Sequence, residues 1–155
     1  MYKRDTDPIV KFVNEPTALY AKKKVSLKSV FDDRYKMVEL IEQGLPYSFF
    51  SRLKEVVSFT MSEWSTYLDI SLKSLHRYQQ ENRQFKPIHS EKILELAEVI
   101  TYGIEVFGTS EKLRLWLSTP SLALGHKRPM DLIKNSYGKE LVIRELTAIE
   151  HGVFA

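Results

Sequence analysis

The sequence predicts an all-α fold. Apolar residues recur at spacings of three and four, no stretch alternates convincingly with period two, and the apolar stripes are bounded by hydroxyl-bearing caps on one side and by Gly or Pro on the other. At 155 residues the chain can bury one compact core, with room for a second small subdomain. The expected division is an N-terminal arm over 1–28, a helix-turn-helix domain over 29–108 and a further helical subdomain over 109–155.

The arm carries Pro8, Pro16 and the run Lys22-Lys23-Lys24 and is too polar to build a core. A first helix is expected at about 29–43, because Ser29-Val30-Phe31-Asp32 has the form of a capping box and Val30, Met37, Val38 and Ile41 share a face before Gly44. Pro46 suits a first helical position, and Phe49, Leu53, Val56 and Val57 make the next stripe, so a second helix is expected at roughly 46–58.

Thr60-Met61-Ser62-Glu63 is another capping box, opening a short helix with Trp64 and Leu68. Asp69-Ile70 makes a tight joint, Ser71 is a good N-cap, and Leu75 and Tyr78 point inward from a helix beginning at Leu72. Two short helices joined in this way form a helix-turn-helix. Beyond Pro87, Ser90 is expected to cap the longest helix, with Ile93, Leu96, Ala97, Ile100, Ile104 and Phe107 on its apolar face and Gly108 at its end. Thr109 opens a helix with Leu113, Trp116 and Leu117, ended by Thr119-Pro120, and Trp116 is assigned to the core with its neighbours. After a loop over 121–128, Pro129 and Asp131 start a short helix that Gly138 closes, and 139–151 form the last one, with Val142, Leu146 and Ile149 on one face.

The composition removes several classes of chemistry. There is no cysteine, hence no disulfide, thiolate nucleophile or Cys-type metal site. The four histidines, at 76, 89, 126 and 151, are never three or four apart, so no metal pair of the HExxH kind can form on one helix. The six glycines are scattered and make no phosphate cradle, and Asp32-Asp33 would point about 100° apart on a helix. No catalytic residue, cofactor or metal is therefore expected. Met1 to Pro8 hold charge where a secretory peptide would be apolar, and charges interrupt every hydrophobic stretch before the roughly 20 residues of a membrane span, which predicts a cytoplasmic protein without a membrane partner.

The net charge of +3 is concentrated in the first part: residues 1–86 hold 15 Lys+Arg against 11 Asp+Glu, and 87–155 hold 8 against 9. On the second helix of the motif, Lys73, His76, Arg77 and Gln80 lie away from Leu75 and Tyr78, and these side chains suit base edges or phosphates. Ser71, at the helix N-terminus, is placed to anchor a DNA backbone. These five are the candidate DNA-binding residues.

The stretch from Ile41-Glu42-Gln43-Gly44-Leu45-Pro46 through the helix-turn-helix to Val106-Phe107-Gly108 resembles the N-terminal half of Xre/MbcA/ParS-type antitoxins. The C-terminal half resembles that family's toxin-binding domain more sharply, through Trp116-Leu117-Ser118-Thr119-Pro120, Arg128-Pro129-Met130-Asp131-Leu132 and Glu150-His151-Gly152-Val153-Phe154-Ala155. The resemblance covers about residues 40–155. It implies a type II antitoxin whose partner is a RES-domain toxin, a class that consumes NAD or transfers ADP-ribose. It further implies that the C-terminal domain occludes the toxin's active site, and that the antitoxin, as a likewise expected homodimer, binds operator DNA and represses its own operon.

On this resemblance Glu150, His151, Gly152, Val153 and Phe154 are the candidate toxin-binding residues. Phe154 follows a helix-breaking Gly152 and must either fold back or meet another surface. Two departures from the family pattern stand out. Asp69 occupies the turn where Gly is common, and Arg128 precedes Pro129 where a small hydroxyl residue would cap the helix. The competing readings are a stand-alone repressor whose C-terminal helices serve dimerisation, and an adaptor that never touches DNA.

Overall fold

The structure, a computed structural model, describes residues 31–153. The described residues form eight α-helices and no strand: α1 (Arg34–Gln43), α2 (Tyr47–Val56), α3 (Met61–Leu68), α4 (Leu72–Glu81), α5 (Pro87–Phe107), α6 (Ser110–Ser118), α7 (Pro129–Leu132) and α8 (Ser136–Glu150). A 3-10 turn, Leu122–Leu124, sits between α6 and α7 and is closed by a single bridge from Ser121 to Lys127. The all-α prediction holds.

The 21-residue α5 is the axis. Its buried residues lie on most of its circumference, from Ile93 and Leu94 to Tyr102 and Ile104, because α1 and α3 pack on it from one part of the chain and α6 and α8 from the other. At the first end the core is aromatic. Trp64, with no exposed surface, meets Phe50 and Phe59 edge-on at centroid distances of 5.1 and 5.2 Å, and Phe85 stacks on Tyr78 at 4.5 Å. At the other end the core is aliphatic, built from Leu113, Leu117, Ile133, Val142 and Leu146. Each such side chain contributes about 1.5–3 kcal/mol by leaving water.

Several boundaries differ from the sequence expectation. The proposed capping residues Ser29 and Val30 lie outside the described residues. The described cap of α1 is Asp33, whose carboxylate accepts from the Lys36 amide at 3.0 Å. Met37 is buried but Val38 is 52% exposed, because one residue's rotation of about 100° takes it off the face that Met37 shares with Leu40 and Ile41. Pro46 is the N-cap of α2, not its first residue.

Ser90 is not a cap. Pro87 starts α5 three residues earlier, at the position where a missing N–H does no harm. The Ser90 hydroxyl is instead fully buried, accepts from the Leu45 amide at 2.9 Å and donates to the Phe85 carbonyl at 3.2 Å, tying the α1–α2 turn to the start of α5. Gly138 does not close a helix either. It lies inside α8, which begins with Asn135 as N-cap. A Cβ on Gly138 would stand 1.8 Å from the Leu132 carbonyl oxygen, so its glycine lets α7 and α8 touch backbone to backbone.

Trp116 is only partly buried, its ring 5.4 Å from Phe107 at the margin of the core, so its assignment to the core is corrected. The 109–111 opening is as expected: Thr109 caps α6 by accepting from the Lys112 amide.

Candidate functional site

The α3–α4 pair is assembled by its own side chains. Thr60 and Glu63 complete the capping box of α3, the Thr60 hydroxyl accepting from the Glu63 amide at 3.1 Å and the Glu63 carboxylate from the Thr60 amide at 2.7 Å. At the far end Asp69 adopts the left-handed conformation, φ 52°. There the Asp69 amide reaches Thr66 and the Ile70 amide reaches Ser65, the two bonds of a Schellman cap. Aspartate thus performs the turn in which glycine is common. Ser71 then caps α4, accepting from the Ser74 amide at 3.1 Å.

Leu75 and Tyr78 of α4 are buried, and Ser71, Lys73, His76, Arg77 and Gln80 are all exposed. Lys73, His76, Arg77 and Gln80 fall at i, i+3, i+4 and i+7, which puts them on one helical face. Ser71 and Arg77 also line a cleft behind that face, together with Arg83, Lys86 and His89. Arg83 and Lys86 are given no place by the sequence, because the closeness of the α4 and α5 N-termini is a tertiary fact.

One residue links this motif to the C-terminal helices. Arg114 of α6 donates to the Ser58 carbonyl and to the Glu63 carboxylate, at 3.2 Å to Oε1, with its guanidinium 5.3 Å over the Phe59 ring. Burial pushes the Glu63 carboxyl up, but the Thr60 hydrogen bonds and Arg114 outweigh it and hold the group below its ordinary value. Nearby, burial, reinforced by Glu63, pushes the Tyr67 phenol up to about 12.

The other candidate residues sit at the end of α8. Glu150 and His151 are exposed, yet the Glu150 carboxylate is engaged from below by Tyr102 of α5, a side chain 1% exposed whose hydroxyl donates to it at 2.6 Å and lies 3.0 Å from the Thr147 hydroxyl. The His151 Nδ1 stands 2.8 Å from the Thr147 carbonyl, which fits an Nδ1–H donor. Gly152, φ 67°, supplies the left-handed residue of a second Schellman cap: its amide donates to Ile149 at 3.1 Å and the Val153 amide to Ala148 at 2.8 Å. Val153 leaves this cap 63% exposed. Phe154 lies outside the described residues. Tyr102 carried no sequence signal, since its partners are 45 and 48 residues away.

The one-turn α7 starts without a side-chain cap, as the departure at Arg128 implied. Arg128 instead grips Asp131 with two bonds, of 2.7 and 3.0 Å. That hydrogen-bonded pair holds the Asp131 carboxyl below its ordinary value. No group of acidic and histidine side chains suited to a metal occurs among the described residues, and no helix among them is long and apolar enough to cross a membrane.

An aromatic-cored helix-turn-helix followed by a helical unit with a capped C-terminal end defines a two-part protein of the helix-turn-helix class. Comparison with known proteins gives the family. A profile described as an antitoxin Xre-like helix-turn-helix domain matches residues 36–98, and one described as the antitoxin Xre/MbcA/ParS C-terminal toxin-binding domain matches 103–152. Antitoxin Xre of Yersinia enterocolitica is 28% identical over 120 residues, 77% of this chain and 81% of that protein. The Prs ADP-ribosylating antitoxin of Sphingobium sp. is 24% identical over 127 residues, 76% of this chain and 80% of that protein. A chain of the crystal structure of the M. tuberculosis MbcT-MbcA toxin-antitoxin complex shares the fold, with a TM-score of 0.55 and 22% identity, over 68% of this chain and 93% of that one. The chain belongs to the Xre/MbcA/ParS antitoxins, and it is the antitoxin of a toxin–antitoxin system.

Proposed function

We propose that this antitoxin neutralises a RES-domain toxin of a type II system by covering the toxin's active site with the end of α8 and the residues after it. It has no catalytic role of its own. The observation that carries the reading is the second Schellman cap, which fixes the direction of the chain at Gly152 and leaves Val153 exposed on a rigid helix end. A small apolar tip held in this way suits a cleft, where a few well-buried residues dominate affinity. Within it Val153 and Phe154 enter the cleft, while Glu150, His151 and Gly152 set its rim. The Sphingobium relative, named a Prs ADP-ribosylating antitoxin, favours ADP-ribose transfer as the toxin's chemistry, with NAD consumption as the other course.

The same reading makes the protein cytoplasmic and a homodimer within the toxin complex. It binds operator DNA through Ser71, Lys73, His76, Arg77 and Gln80 and so represses its own operon. It keeps the division into an arm over 1–28, a helix-turn-helix domain over 29–108 and a toxin-binding domain over 109–155. The two family profiles meet inside α5, somewhat before that last boundary.

The test is co-expression with a RES-domain toxin encoded beside the gene. The full chain is expected to restore growth and intracellular NAD, and a chain lacking residues 152–155 to restore neither while keeping its melting temperature and its DNA affinity. Rescue by the truncated chain would sink the tail as a plug. Rescue lost together with dimerisation would favour the stand-alone repressor, and absence of DNA binding by chain and complex would favour the adaptor.

A further inference from the structure

A cleft of about 420 Å³ opens between the N-termini of α4 and α5. Its walls carry Arg77 of α4, Arg83 and Lys86 of the connecting segment and His89 of α5, with Asp69 as the acidic group. Asp69 lies 3.8 Å from Lys92 and Arg83 lies 3.0 Å from Glu81, whereas Arg77 and Lys86 form no ion pair with any described residue. Positive charge is therefore in excess around the cleft.

The start of α5 adds to that excess. Its N-cap, Lys86, makes no side-chain cap, and its first turn contains no acidic residue. The positive end of a long helix dipole thus faces cations where a carboxylate would ordinarily stand. The His89 Nδ1 is buried with no hydrogen-bond partner among the described residues. Burial, with Lys86 and Lys92 adding to it, holds the His89 imidazole below its ordinary pKa. The uncapped helix start and the unpaired cations cost free energy in the chain alone, and a single anion in the cleft relieves both.

We propose that this cleft binds a phosphate group, supplied by the backbone of duplex DNA, so that Lys86, Arg83 and His89 clamp one strand beside the face of α4. The proposal rests on the DNA-binding reading for its source of phosphate; free phosphate is the other source with the same chemistry. Phosphate contacts fix position and carry no sequence information, which separates these residues from a base-reading face.

The experiment measures binding of the full chain and its Lys86→Gln and Arg83→Gln variants to an operator duplex and an unrelated duplex across a salt series. Each variant is expected to weaken both duplexes by the same factor and to lower the slope of log affinity against log salt by about 1, with an unchanged melting temperature. In parallel, inorganic phosphate is titrated while the His89 ring signals are followed by NMR. If the chain binds no duplex but phosphate shifts His89, and Lys86→Gln abolishes the shift, the cleft takes free phosphate and the DNA reading alone fails. If both variants keep the wild-type slope, or no duplex is bound, and His89 is insensitive to phosphate, the proposal is overturned.

Discussion

Between α3 and α4 the chain turns on Asp69, with Thr60 and Ser71 capping the two helices through their own side chains, so every bond that makes the joint spans five residues or fewer. Between α7 and α8 the joint depends on the absence of a side chain at Gly138, and the far end of α8 is held by Tyr102, 48 residues earlier. The first joint is made of local hydrogen bonds and the second of packing. In the helix-turn-helix the turn is therefore set by neighbours in sequence, while the helices it joins still bury Trp64, Leu75 and Tyr78 against the surrounding core. The end of α8 points where it does only because α5 and α7 hold it.

The two tryptophans give the largest expected contrast. Trp64→Ala removes the centre of the aromatic core and is expected to cost about 3–5 kcal/mol, whereas Trp116→Ala, at the margin, is expected to cost less than about 2 kcal/mol. Urea titration of both variants checks this, and equal losses would mean that the two halves are packed alike.

Gly138→Ala is next. Its Cβ meets backbone, which cannot rotate away, so α7 and α8 must part at a cost of about 2–3 kcal/mol. Asp69→Gly, at the corresponding local joint, should change stability by only a few tenths of a kcal/mol, since aspartate tolerates the left-handed conformation that glycine adopts freely. Thermal melts of the pair sharpen the comparison. A Gly138→Ala protein as stable as wild type would mean that the packed joint is no tighter than the local one.

Tyr102→Phe removes one hydroxyl and its bond to Glu150, a loss of about 1 kcal/mol. Its effect on toxin neutralisation is expected to exceed its effect on melting, because the hydroxyl orients the helix end that the tail leaves from. Full rescue at limiting expression would separate Glu150 from that role.

A further effect concerns acid. The Glu63 carboxyl is held below its ordinary value in the folded chain, so its stabilising contribution is complete above the unfolded value of about 4.5 and is lost as pH falls through the folded value. Glu63 is partly solvated, so no more than about 1 kcal/mol is expected. The variant Glu63→Gln should be less stable than wild type at pH 7 and should approach it near pH 3 in denaturant titrations. A constant difference across that range would locate the effect in packing.

Sequence alone determined the helices, most of their caps and the polar face of α4. Those features rest on contacts within one or two turns, and Thr60, Glu63, Ser71 and Thr109 declare them by residue type. It misread Ser90 and Gly138, whose partners lie on other elements: a serine before an apolar stripe looks like a cap until a neighbouring turn claims its hydroxyl, and a glycine looks like a stop until a carbonyl presses on it. Only the tertiary structure decided that Arg114 joins the two halves, that Tyr102 holds Glu150, and that Arg77, Arg83, Lys86 and His89 surround one cleft. The physical reason is range. Hydrogen bonds that close within a helical turn are encoded where they occur, whereas a contact between helices exists only once the apolar faces of α5 have brought those helices together.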